Sequence, residues 1–166
     1  MHRSSKSLPA LCAATLTLVL AACATKPPTP PTRMTQEGLV DGIRAIAGEV
    51  RVDRNVVEFE YRGIQILAVS DPVHDRMRLI SPITTIDQLS AQRLAEMLVA
   101  NFHTSLDGRY AIADGTVFAA FLHPLSSLDA ELLASAIRQV AALQRNFGTT
   151  YSSDELTFGG GPGPEA

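Results

Sequence analysis

Apolar residues along the chain change their spacing in a readable order. Leu39, Ile43 and Ile46 recur at i, i+4 and i+7 behind Thr35, a residue suited to cap a helix. Met34 is placed to staple onto Leu39. Gly38 and Gly42 weaken this helix, and Gly48 ends it. The spacing then falls to two, through Val50 and Val52, then Val57, Phe59 and Tyr61, then Ile64, Ile66 and Ala68 after a turn at Arg62-Gly63. Asp71 to Asp75 reads as another turn, and Met77, Leu79 and Ser81 continue the alternation as a strand. The helical period returns from Ile86, with Asp87 as cap and Ala91, Leu94, Leu98 and Phe102 on one face beside Met97. A hairpin follows, Arg109–Ala113 and Thr116–Leu122 around Asp114-Gly115. Ser126 or Ser127 then opens a long helix whose face carries Leu133, Ala136, Ile137, Val140, Gln144 and Phe147, closed by Gly148. The predicted order is α-βββ(β)-α-ββ-α, an α+β domain with an antiparallel sheet of about five strands and three helices mainly on one side.

The two ends of the chain do not belong to this pattern. Arg3 and Lys6 precede a 15-residue apolar run from Leu8 to Ala22, the layout of a secretory signal. A bilayer span wants roughly 20 consecutive apolar residues, and this run holds two threonines and a proline. It closes on L-A-A-C, Leu20 to Cys23, which resembles the lipobox of bacterial lipoproteins. The resemblance implies cleavage after residue 22, diacylglycerol on the Cys23 sulfur, and a mature chain beginning at Cys23. Two or three acyl chains, at about 0.8 kcal/mol per buried CH₂, hold a protein on a bilayer far better than one. Ala24 stands where an aspartate retains many such lipoproteins at the inner membrane, so the outer membrane, facing the periplasm, is the expected address. An ordinary cleaved signal or an uncleaved anchor is the plainer alternative. Residues 23–33 make the lipidated start and a spacer holding Pro27, Pro28, Pro30 and Pro31, in polyproline II about 3.1 Å per residue or roughly 30 Å in all. Gly159–Ala166 reads as a disordered Gly/Pro tail, which leaves 34–158 as one domain.

Charge and cysteine count narrow the partners. The 166 residues carry a formal charge of −3, and losing Arg3 and Lys6 leaves 12 basic residues against 17 acidic, a net −5. No Lys/Arg excess exists to replace counterions on a phosphate backbone, which argues against nucleic acid, or to add an electrostatic hold on anionic lipid. Cys12 leaves with the signal and Cys23 is consumed by the anchor, so no disulfide or cysteine metal site is expected in the mature chain.

The element order, with R-L-A-E-M-L-V-A-N-F (Arg93–Phe102), the Asp114-Gly115 hairpin and H-P-L-S-S-L-D-A-E-L-L (His123–Leu133), resembles the type III secretion chaperone-like fold and its free-standing relatives of the YbjN type, over about residues 35–150. The resemblance implies a non-enzymatic protein-binding module without cofactors, commonly a homodimer, holding extended partner segments against sheet and helix surfaces. Secretion chaperones are cytosolic, whereas this chain begins with an export signal. Two copies would meet through Leu94, Met97 and Leu98, or along an edge formed by Thr116–Leu122 with Val117 and Phe121.

Asp71, His74 and Asp75 could clasp a divalent ion, but three ligands on one turn without a second cluster do not close a site, and a solvated turn accounts for them. His103 with Asp107, and His123 before Pro124, read as loop or helix-end residues. Ser81, Ser90, Ser126 and Ser127 fall where strand ends and helix caps want them. Glu58 and Glu60 share one face of a strand opposite Val57, Phe59 and Tyr61, the pattern of a half-solvated strand. The leading expectation is a tethered lipoprotein whose domain binds a partner protein. Its rivals are a small-ligand or hydrolytic enzyme using a sheet–helix cleft with His74, Asp71 or His103, and a purely structural envelope protein.

Overall fold

The computed structural model describes residues 33–154; the signal segment, Cys23, nearly all of the spacer and the Gly/Pro tail lie outside them. α1 (Gln36–Ala47) is opened by Thr35, whose Oγ1 accepts the Gly38 N–H at 3.1 Å, and closed at Gly48, where a φ of 83° leaves the helix. Leu39 and Ile43 are fully buried, as their spacing requires.

Four strands follow, β1 (Val50–Asp53), β2 (Val56–Tyr61), β3 (Ile64–Asp71) and β4 (Arg76–Thr85). After α2 (Ala91–His103) come β5 (Arg109–Ala113), β6 (Thr116–His123) and α3 (Ala130–Arg145). The strands form one six-stranded antiparallel sheet in the order β1-β2-β3-β4-β6-β5. Arg62-Gly63 and Asp114-Gly115 make two-residue turns with positive φ at both positions, the geometry whose twist matches the flanking strands. One sheet face carries Val57 and Phe59, Ile66 and Ala68, Met77 and Leu79, and Val117, Ala119 and Phe121, all buried. The three helices close over that face, α3 across β3 to β6, α1 over β1 and β2, and α2 beside β5. The α+β expectation stands, with six strands where about five were expected.

Three local expectations are corrected. Ile86–Gln88 is a single 3-10 turn, and α2 begins behind Ser90, whose side chain accepts the Arg93 N–H at 3.2 Å. Leu125–Ser127 is likewise a 3-10 turn, so Asp129 caps α3 in place of Ser126 or Ser127, taking the Leu132 N–H at 2.7 Å. The third correction concerns the rotation of α2. Its inward row is Leu94, Met97, Ala100, Asn101 and Thr104, while Leu98 and Phe102 are 71% and 77% exposed. Two polar side chains decide this. Asn101 donates to the Tyr110 carbonyl at 3.0 Å and accepts its N–H at 2.7 Å, and the Thr104 hydroxyl donates to the Tyr151 carbonyl at 3.0 Å. Turning Leu98 inward would strip those main-chain groups of their partners, at about 1–3 kcal/mol each, more than burying one leucine returns.

Candidate functional site

The Asp71–Asp75 turn does not gather its three side chains. His74 Nδ1 lies 2.7 Å from Asp71 Oδ2 on the surface, and the His74 N–H donates to Asp71 Oδ1 at 3.0 Å; these bonds hold the Asp71 carboxyl below its usual range. Asp75, with a φ of 53°, points the other way, accepting the Ser126 hydroxyl and N–H at 2.7 Å each. It too is held below the ordinary carboxyl range, by those two donors. The carboxylate therefore pins the β3–β4 turn to the approach of α3. Among the described residues no group of three or more His, Cys, Asp or Glu is placed to hold a metal ion.

The remaining candidates are scattered. The exposed His103 ring packs on Phe102 at 4.8 Å, while Asp107 lies in the following loop, its N–H donated to Gln139. His123 Nδ1 contacts the Pro124 carbonyl at 2.8 Å. Ser81 donates to the Gln65 carbonyl at 2.7 Å, and Ser90 and Ser126 are engaged as described. Glu58 and Glu60 lie on the sheet face away from the helices, beside Arg51 and Gln65 respectively. The arrangement offers surface ion pairs and caps.

Of the residues expected to meet a partner, Met97, Val117 and Phe121 are 4%, 0% and 2% exposed inside this single copy, and Leu94 is half-buried. β6 is hydrogen-bonded on both sides, to β4 and to β5, so Thr116–Leu122 is no edge. The misreading has a simple cause, since period two marks a strand without saying which neighbours flank it. Leu98 alone of the five lies open to solvent, and Val99 and Phe102, absent from the expected set, extend its patch.

The sheet's true edges are β1 and β5, and they differ. β5 turns the Tyr110 main chain outward, and Asn101 occupies both of its groups. β1 pairs with β2 only, among the described residues, so alternate N–H and C=O groups along its four residues face away from the sheet. Alongside runs a groove of about 340 Å³ lined by Gln36, Glu37, Val40 and Asp41 of α1 and by Val52 and Arg54 of the β1–β2 hairpin. Its wall is braced, because the Gln36 amide accepts the Ser70 hydroxyl and Asn55 Nδ2 donates to the Ser70 carbonyl at 2.8 Å. Sequence reasoning placed Val52 in a strand but missed this groove, which forms only where α1 passes the sheet edge. Asn101 was missed too, and its one signal was an amide standing in an apolar helix.

No family model matches the chain, and no curated protein matches it. Solved structures do share its fold. A chain of the HopA1–SchA chaperone–effector complex superposes with a TM-score of 0.53 at 16% identity, covering 66% of this chain and 88% of its own. A chain of the ExsC–ExsE complex superposes with a TM-score of 0.51 at 13% identity, covering 68% and 92%. The order of elements, three helices on a six-stranded antiparallel sheet, is therefore the fold found among type III secretion chaperones.

Proposed function

We propose that this protein is a non-enzymatic lipoprotein, held through Cys23 on the outer membrane and facing the periplasm, whose domain binds an extended segment of a partner protein. The lipobox and proline spacer support the anchor. The binding reading rests above all on the unpaired outer edge of β1 beside the α1 groove. An extended peptide laid along that edge satisfies the outward main-chain groups, and its alternate side chains reach the groove between Val40 and Val52. The likeness to a chaperone that holds an effector supports the same reading. Two copies meet, on this reading, through the outer face of α2 at Leu98, Val99 and Phe102, in place of the buried Met97, Val117 and Phe121.

Acyl labelling of wild type and Cys23→Ser tests the anchor; equal, unlabelled migration of both refutes it. For the edge, a photo-crosslinker at Glu37, on the α1 side of the groove, captures the partner in cells. Val52→Pro, which deletes one strand N–H, or Val40→Asp, which charges the groove, abolishes capture while the unfolding midpoint stays put. Undiminished capture in both variants refutes the edge as the docking site. Sedimentation of wild type and Phe102→Asp decides the dimer, and a monomeric wild type at 100 μM (about the range of weak association) ends that part.

A further inference from the structure

The helices cover one face of the sheet, and the other face carries an apolar pattern of its own. Val56 of β2, Leu67 and Val69 of β3, Ile80 of β4 and Phe118 of β6 are half-buried there, outside the core cluster and the residues packed on it. Strand register sets their arrangement. Val56 stands beside Val69, Leu67 beside Ile80 one row on, and Phe118 beside Pro82 a further row on. Crossing from β2 to β6 therefore moves the apolar position along the sheet. At about 4.8 Å between strands and 3.3 Å per residue, the result is a diagonal stripe about 20 Å long, at about 45° to the strands.

The stripe divides charge. Glu58 and Glu60 of β2 lie on one side of it, and the exposed Arg78 of β4, in the row of Val69 and Leu122, lies on the other. On the same spacings, Arg78 and the midpoint of the two glutamates each stand about 7 Å from the stripe. The acids have neighbours of their own, since Arg51 lies 3.4 Å from Glu58 and the Gln65 amide donates to Glu60 at 3.1 Å. With the Arg51 and Glu58 side chains 82% and 48% exposed, that ion pair is a weak surface contact that yields to a better-placed partner.

An apolar stripe with acids on one side and a base equally far on the other is self-complementary. A two-fold axis laid along the stripe turns a second copy face to face with the first, sets the two stripes against each other, and places Glu58 and Glu60 of each copy beside Arg78 of the other. Because the stripe is diagonal, the strands of the two sheets then cross at about 90°, one of the two standard ways in which sheets pack. We propose that a second copy of this chain docks on this face about that axis. The contact is separate from the outer face of α2, which lies on the helical side, and it goes beyond the partner-binding reading without depending on it. A chain using both contacts builds assemblies larger than a dimer.

Two differently tagged copies of the full chain, expressed in the same cells and extracted in mild detergent, test the contact by co-capture. Every copy carries Phe102→Asp, which removes the α2 contact. Co-capture is expected in that background. Arg78→Glu in both copies, or Glu58→Arg with Glu60→Arg in both, sets like charges together and is expected to lower it about tenfold. Arg78→Gln, which removes attraction without adding repulsion, is expected to give a smaller loss. Pairing an Arg78→Glu copy with a Glu58→Arg, Glu60→Arg copy is expected to restore capture, because each changed charge then faces its opposite. Urea midpoints of the purified variants are expected to match the parent's, as these positions are exposed. No co-capture in the Phe102→Asp background, undiminished capture in the charge variants, or a loss that the opposed pair does not recover overturns the proposal. Capture abolished by Phe102→Asp alone leaves the α2 contact standing and removes this one.

Discussion

Gln139 is the most informative residue to remove. It is fully buried on α3, where Oε1 accepts the Asp107 N–H at 3.0 Å and the Gly108 N–H at 2.9 Å, and Nε2 donates to the Ser135 hydroxyl at 3.2 Å. One amide thus holds both N–H groups at the end of the α2–β5 loop. Leucine has nearly the same volume and no acceptor, so Gln139→Leu keeps the packing and orphans two donors. The Gly108 N–H is buried and costs about 1–3 kcal/mol unpaired, whereas the half-buried Asp107 N–H regains water at a cost nearer 0.5–1 kcal/mol. Burying an apolar group in place of the amide returns about 1 kcal/mol, so the net loss is about 0.5–3 kcal/mol. Gln139→Ala forfeits that return and leaves a cavity, which raises the loss to about 3–5 kcal/mol. Urea unfolding at 25 °C with m-values measures both, and hydrogen exchange locates the effect at Asp107 and Gly108. If Gln139→Leu is as stable as wild type, or if exchange at those two amides is unchanged, the reasoning is wrong.

The rotation of α2 is checked by a pair of substitutions: Met97→Ala is expected to cost about 2–5 kcal/mol, while Leu98→Ser stays within about 0.5 kcal/mol in the monomer; equal costs refute the assignment. Gly108→Ala places a Cβ 2.6 Å from Leu143 Cδ1 in a filled interior, and overpacking of this kind costs about 1–3 kcal/mol by denaturant titration. Asp75 titrates lower in the folded state than in the unfolded chain because Ser126 donates to its carboxylate. Its contribution is therefore complete above the unfolded value of about 3.9 and disappears as pH falls through the folded value. The stability difference between wild type and Asp75→Asn is expected to shrink from pH 7 to pH 3, and a difference constant with pH refutes the latch.

Much of the fold was legible because its signals are local. Thr35 caps α1, Gly48 ends it, and the Arg62-Gly63 and Asp114-Gly115 pairs close hairpins through interactions within a few residues. What failed depended on groups distant in sequence. Leu98 looked like core by spacing, but α2 was rotated by hydrogen bonds from Asn101 to Tyr110 and from Thr104 to Tyr151, 47 residues on. Gln144 was placed on the core face of α3 and is half-buried there, whereas Gln139 is fully buried; it has loop donors to satisfy, and no periodicity records donors 31 residues away. Val117 and Phe121 were correctly apolar and wrongly exposed, since strand order lies outside a single strand's pattern. The groove joins Gln36–Asp41 of α1 to Val52 and Arg54, side chains more than ten residues apart, so it has no motif.

The two sheet edges bear on how an exposed, partly apolar sheet avoids indiscriminate pairing. A free edge invites strand addition by any chain, including a second copy. At β5 the Asn101 amide stands where a neighbouring strand would donate and accept, so Tyr110 is closed to pairing and only the outward groups near Ile112 remain. At β1 the ladder is open, but it is only four residues long and overlooked by Glu37 and Asp41. A short open ladder gives little affinity by main-chain bonds alone, since each contributes about 0.5–1.5 kcal/mol net. Selectivity must then come from what the partner's side chains find beside the ladder, an apolar space between Val40 and Val52 with acids at its rim. Asn101→Ala separates these effects. It is expected to expose a second edge and raise self-association without altering capture at β1, because the two edges bound opposite ends of the sheet and share no residue.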